Sequence, residues 1–135
     1  MQDARNGDQI NQMVDIQQVG NNFIDFYYTS CKSNINNLFA SGIFKDHTRL
    51  RYKDKEYKEQ ELVKLLTQIN QESTFVLEET IIMDSGGRRA DILAIGKIQM
   101  RQSGEIFRFS QYFTIANNKT NEWFIHNTLL SILSH

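Results

Sequence analysis

The chain has 135 residues, with 15 basic and 16 acidic side chains for a net charge of −1; 40% of its residues are hydrophobic and 23% charged. That is one domain, able to bury about two-thirds of its unfolded surface without a metal or disulfide staple, and it excludes a disordered chain and argues against a domain built mainly for nucleic acid. No apolar run approaches the roughly 20 residues a membrane helix needs, no secretory leader is expected, and Cys31 has no internal disulfide partner, which fits a reducing compartment.

Residues 1–9 are polar and aperiodic and read as a flexible N-terminus, with one domain over 10–135. From about Ile10 to Cys31, Ile16, Val19, Phe23 and Phe26/Tyr27 recur at helical spacing, with Asp8 or Asn11 as N-cap candidates. Asn34, Asn36 and Asn37 then break the chain, and a short apolar helix or turn follows, ending near Gly42. Ile43 to Tyr57 reads as strand, turn and strand, with Thr48, Leu50 and Tyr52 alternating with Arg49, Arg51 and Lys53 and a turn at Asp54-Lys55. A second amphipathic helix covers Glu59 to Asn70, with Leu62, Leu65, Leu66 and Ile69 on one face.

The rest reads as a meander of four long antiparallel strands: Thr74–Met83, Arg89–Arg101, Glu105–Ala116 and Trp123–Leu133. Turns at Asp84-Ser85-Gly86-Gly87, Gln102-Ser103-Gly104 and Asn117–Asn121 separate them. Helices first and a meander last is an α+β order, with the helices gathered on one face of the sheet.

Side chains alternate across a strand. One face takes Ile92, Ala94, Ile98, Met100, Phe107, Phe109, Phe113, Ile115, Phe124, Leu130 and Ile132. The other takes Leu93, Ile95, Ile106, Tyr112, Trp123, Ile125 and Leu129. A sheet covered by helices on one side needs only one apolar face. The second is therefore expected to be a protein–protein interface, centred on Leu93, Ile95, Tyr112, Ile125 and Leu129.

The segments VGNNFIDFYYTSC (19–31), ELVKLL (61–66), RFSQYFTIA (108–116) and EWFIHN (122–127) resemble, in order and spacing, the nuclear transport factor 2 family. The resemblance implies a cone-shaped, curved antiparallel sheet packed on N-terminal helices, a cystatin-like roll, whose outer face pairs with a second copy or a related domain. It places Leu93, Tyr112 and Leu129 at the family's dimer contacts. It implies a non-enzymatic role in nucleocytoplasmic transport, in the cytoplasm and the nucleus, at the nuclear envelope or pore. The leading type is the small mRNA-export cofactor that pairs with a large export factor. The alternatives are an import carrier of the GTPase Ran in its GDP form and a scaffold subunit of a larger complex. At the positions matching the family's GTPase-facing rim stand Tyr52, Lys53 and Arg101. Two of these are basic where the carrier is acidic, which disfavours Ran. Binding of nucleoporin Phe-Gly repeats stays open.

Relatives of this fold include small isomerases and dehydratases that work inside the cone. A pocket of that kind needs an inward acid or base. His126, with the parity of Phe124, is the inward candidate, beside Tyr27, Tyr28 and Asp25. The aromatic residues Phe107, Phe109, Phe113 and Phe124 are expected to fill that space, so no catalytic residue and no cofactor is expected. His47, His126 and His135 lack ligand spacing, so no metal is expected either. The basic run Lys45–Lys58 reads as a solvated strand edge, Gly86-Gly87-Arg88-Arg89 as a hairpin tip and Cys31 as structural.

Overall fold

The computed structural model describes residues 15–118 and 122–133. The segment 1–9, the cap candidates Asp8 and Asn11, and His135 lie outside the described residues. Helix α1 spans Ile16–Ser33 and is capped by the Asp15 carboxylate, which accepts from the backbone N–H of Gln18. Asn34 ends α1 and starts the next helix. Its own N–H donates to the Ser30 carbonyl at 2.9 Å, and its side-chain oxygen accepts from the Asn36 N–H at 3.0 Å, opening α2 (Ile35–Ala40). Strand β1 (Phe44–Tyr52) and the short β2 (Lys55–Tyr57) form a hairpin, and α3 (Glu59–Glu72) leads into the sheet. The meander is β3 (Ser73–Gly86), β4 (Arg89–Met100), β5 (Ile106–Asn117) and β6 (Trp123–Leu133).

The six strands lie in the order β2-β1-β6-β5-β4-β3. The meander expected from the sequence is present, but the sheet is mixed, because β1 pairs parallel to β6. Nothing local in the sequence signals this contact between segments some 80 residues apart. Helix α1 packs on β3 and β4, and α3 on β1, β2 and β3, so the helices cover one face. The core between them holds Phe23, Ile24, Tyr27 and Leu38 from the helices and Ile92, Ala94, Phe109, Phe113 and Ile115 from the strands, all buried. Tyr27 and Phe113 meet edge-on at 4.9 Å between ring centroids, and Phe23 meets Phe113 at 5.5 Å, the tilted geometry that aromatic quadrupoles favour.

One buried polar network crosses this core. Tyr28 Oη donates to Gln111 Oε1 at 2.7 Å; Gln111 Nε2 donates to Thr128 Oγ1 at 3.0 Å and to Tyr27 Oη at 3.3 Å; Thr128 Oγ1 donates to the Tyr112 carbonyl at 2.8 Å. The glutamine of the SQYF segment thus ties α1 to β5 and β6, with both ends of its amide satisfied.

The last strand departs from simple alternation. Thr114 pairs with Asn127 but the next residue, Ile115, pairs with Ile125, so His126 is the extra residue of a β-bulge. The bulge reverses the parity upstream of it. Ile125 is fully buried in the core and cannot belong to the outer interface centre, contrary to the sequence expectation. Phe124 moves the opposite way: it is half-buried, and its ring meets His47 and Lys45 rather than the core.

Candidate functional site

The outer face of the sheet carries the candidate site. The ladder places Ile81, Leu93, Tyr112 and Leu129 side by side in one row across β3, β4, β5 and β6. Tyr112 is 37% exposed, Leu129 45% and Ile81 46%; Leu93 is half-buried among them. Ile95 shares the face one pair further along, opposite Ser110. So the sequence expectation for the direction of Leu93, Ile95, Tyr112 and Leu129 agrees with the structure, and that for Ile125 does not.

Sequence reasoning missed the contribution of β3. Val76, Ile81 and Met83 also face outward and are exposed. Their parity is obscured by a second bulge, at Glu78, where Leu77 pairs with Gly96 and Glu79 with Ile95. Glu78 uses its extra position to reach Arg108 Nη2 at 2.8 Å and Lys97 Nζ at 3.5 Å, and these neighbours hold its carboxyl below the ordinary range. At the opposite end of the face the Asp91 carboxylate accepts from Ser85 Oγ and, at 3.0 Å, from Thr114 Oγ1, and its pKa is lowered, first by Ser85. Polar pairs therefore flank an apolar row, the layout of an interface core with a polar rim.

The second candidate group is not drawn together. Tyr52 is half-buried against the core at the end of β1, and Lys53, with φ 58°, forms the tip of the β1–β2 hairpin. Arg101 follows β4 and lies against the end of α3. Its guanidinium donates from Nε and Nη2 to the Asn70 carbonyl at 3.3 Å, and its backbone N–H donates to the Glu72 carbonyl. A cation there satisfies carbonyls that a helix C-terminus leaves open. Strands β6 and β5 stand between β1 and β4, about 14 Å of sheet at the usual strand spacing, and Tyr52 is level with Ala94, well short of Arg101 along β4, so the two places lie further apart still.

The interior offers little to acid–base chemistry. The side chains buried below one-tenth exposure include Tyr27, Tyr28, Gln111 and Thr128 but, among the described residues, no carboxylate and no histidine. Asp25 is exposed on α1. His126, expected inside, stands on its bulge outside the cone, in a cleft of about 320 Å³ with His47, Arg49, Arg51, Glu56 and Leu129. Burial, then Arg89, then His47 lower its pKa. Among the described residues no group of three or more metal-ligating side chains forms, and no helix is long and apolar enough to cross a membrane. Cys31 is 5% exposed, and burial pushes its thiol up to about 12. Because the thiolate is the reactive form, Cys31 should resist alkylation in the native protein at pH 8 and react fully once denaturant is added. A mass-spectrometric time course with iodoacetamide checks this; rapid labelling without denaturant contradicts it.

No protein-family model and no curated protein sequence matches the chain. The fold does match solved structures. Nuclear transport factor 2 from Cryptosporidium parvum superposes with a TM-score of 0.74 at 20% identity, over 87% of this chain and 94% of that one. The yeast Ubp3-associated protein Bre5 gives 0.74 at 16% identity, over 90% and 99%. A ketosteroid isomerase-like protein from Erwinia carotovora atroseptica gives 0.61 at 14% identity, over 81% and 89%. The chain therefore has the nuclear transport factor 2-like, cystatin-like fold: α+β, with N-terminal helices packed on a six-stranded mixed sheet. Proteins similar to it in fold include a transport factor, a protein-associated subunit and an isomerase-like protein, so the fold by itself leaves the activity open.

Proposed function

We propose that the domain is non-enzymatic and works by pairing, the outer sheet face of one copy against that of a second. One observation carries this reading. Among the described residues the exposed large hydrophobics are Val76, Ile81, Met83, Ile106, Tyr112, Leu129 and Leu133 on the outer face, and Phe26 elsewhere. Scattered exposed apolar residues are ordinary, but a concentration on one face marks an interaction surface. The interior supports the non-enzymatic half of the reading, because its polar groups are already bonded to one another and none is an acid or base near neutral pH.

A role in nucleocytoplasmic transport is the finer proposal, of the small export-cofactor type, in which the same outer face meets the related domain of a large export factor in place of the second copy. The Ran-carrier alternative is weakened by the positive charge of Lys53 and by Arg101 being engaged with the end of α3. A subunit that associates with a larger protein, as the name of the Ubp3-associated Bre5 says of that protein, is the second reading; the same outer face serves it. Immobilised Ran-GDP separates the first pair: strong retention of this chain restores the carrier.

The pairing itself is tested by Leu129→Arg. Leu129 is exposed in the single copy, so arginine needs no space inside the fold. In the pair it places an unmatched charge in an apolar centre. Truncating or charging such a centre costs about 2 kcal/mol or more, roughly 30-fold in affinity. The variant should keep its circular dichroism and melting temperature as a single copy and lose association by light scattering. Unchanged association contradicts the proposed face.

A further inference from the structure

The cleft around His126 is made by two neighbouring irregularities. In the β1–β6 pair, Phe44 faces Ile125 and the next ladder pair is Arg49 and Asn127, so four residues of β1 stand against the single residue His126 of β6. Thr48, fully buried, fixes this double bulge: its Oγ1 accepts from the Lys45 N–H at 2.8 Å and donates to the Ile125 carbonyl at 2.6 Å. The result brings His47 and His126 together, their rings 5.7 Å apart. Bulges re-aim side chains, and they are over-represented beside functional sites.

The cleft is basic. Arg49 and Arg51 project from β1 into the same concavity. Its one carboxylate, Glu56, is already paired with Arg49 Nε at 3.2 Å, and no ion pair engages Arg51 among the described residues. Arg89 of β4 acts on His126 from the far side, and Lys45 lies over the Phe124 ring that meets His47. One wall is apolar, formed by Leu129 of the outer row.

We infer that this cleft is an anion pocket at the rim of the outer face, which takes acidic side chains of a peptide segment of a protein partner while Leu129 receives an adjoining apolar residue. The volume suits one or two side chains. A nucleic-acid strand fits less well. The run Lys45–Lys58 is interrupted by Asp46, Asp54 and Glu56, and its two aromatic residues, Tyr52 and Tyr57, are half-buried under Lys53 and Lys55 rather than open for base stacking. The inference shares its face with the pairing proposal but needs only the single copy.

The test is an NMR titration of the full chain with a capped Glu-Glu-Leu-Glu-Glu peptide, beside its Gln-Gln-Leu-Gln-Gln counterpart and a ten-nucleotide oligouridine. The acidic peptide should shift the His47 and His126 imidazole resonances saturably. Arg51→Glu should weaken it at least about tenfold, and Arg51→Gln should weaken it to a smaller degree. Lowering the pH from 7.5 to 5.5 should tighten binding as His126 takes up a proton among Arg49, Arg51, Arg89 and His47, and His126→Gln should reduce that gain. Equal binding of the glutamine peptide, no imidazole shifts, or stronger shifts with the RNA would each overturn the inference. Sedimentation of the parent chain and of the Arg51 variants keeps the two proposals apart: a parent chain that pairs but binds no acidic peptide sinks only the pocket, and a parent chain that binds the peptide but never pairs sinks only the pairing.

Discussion

Gly96→Ala should be the most damaging single-methyl change in the molecule. A Cβ built at Gly96 lies 2.1 Å from the Val76 carbonyl oxygen and 2.9 Å from Phe109 Cε1. The first of these is backbone of the neighbouring strand and cannot rotate away. Strand β3 would have to separate from β4 where the Glu78 bulge already bends it. Overpacking with flexible neighbours costs about 1–3 kcal/mol; with a backbone neighbour we expect on the order of 4 kcal/mol, a large part of the roughly 5–15 kcal/mol that holds a domain together. Thermal unfolding followed by circular dichroism should show a drop of about 15 °C, at a few degrees per kcal/mol for this size. A shift under about 3 °C would mean that the two strands are less tightly apposed than described. Gly20, whose Cβ would have three atoms of the Ile82 side chain as its nearest neighbours at 2.7–2.9 Å, should tolerate alanine better, because a side chain can move.

Gln111→Leu should be the second largest effect, and it has an internal control. The substitution keeps most of the volume but leaves Tyr28 Oη without its acceptor and Tyr27 Oη without its donor, both in the core. Stranding buried polar groups costs about 1–3 kcal/mol each, whereas removing both sides of a bond is close to neutral. Gln111→Leu alone should therefore cost about 3 kcal/mol. Adding Tyr28→Phe and Tyr27→Phe should return most of it, although each phenylalanine substitution in the parent chain is destabilising. Urea unfolding of the parent, Gln111→Leu, the Tyr27→Phe/Tyr28→Phe pair and the combined variant checks the sign of the coupling. Simple additivity would show that the network contributes nothing beyond its separate members.

The sequence made most of the elements legible because their signals are local. The helical spacing of Val19, Phe23 and Tyr27, the asparagine punctuation at Asn34 and the Gly86-Gly87 turn each depend on neighbours within a few residues. The outer row was legible for β4 and β5, where alternation runs unbroken from Ala90 to Ile98 and from Phe107 to Ile115. It failed where a bulge inserts one residue. A single bulge at His126 carried Ile125 into the core and His126 out of it, and the one at Glu78 hid Ile81 and Met83. Bulges leave no fixed mark in composition; they are set by how two strands meet. For the same reason the parallel β1–β6 pair, and with it the His47–His126 cleft, could not be read from either strand alone.

The central claim is that the outer row of Ile81, Leu93, Tyr112 and Leu129 is covered by another copy of the fold. Sedimentation equilibrium of the purified chain from 1 to 100 μM tests it most directly. The account predicts a species of twice the chain mass of 15.8 kDa that dissociates on dilution or on Leu129→Arg. A single 15.8 kDa species across the whole range would contradict it.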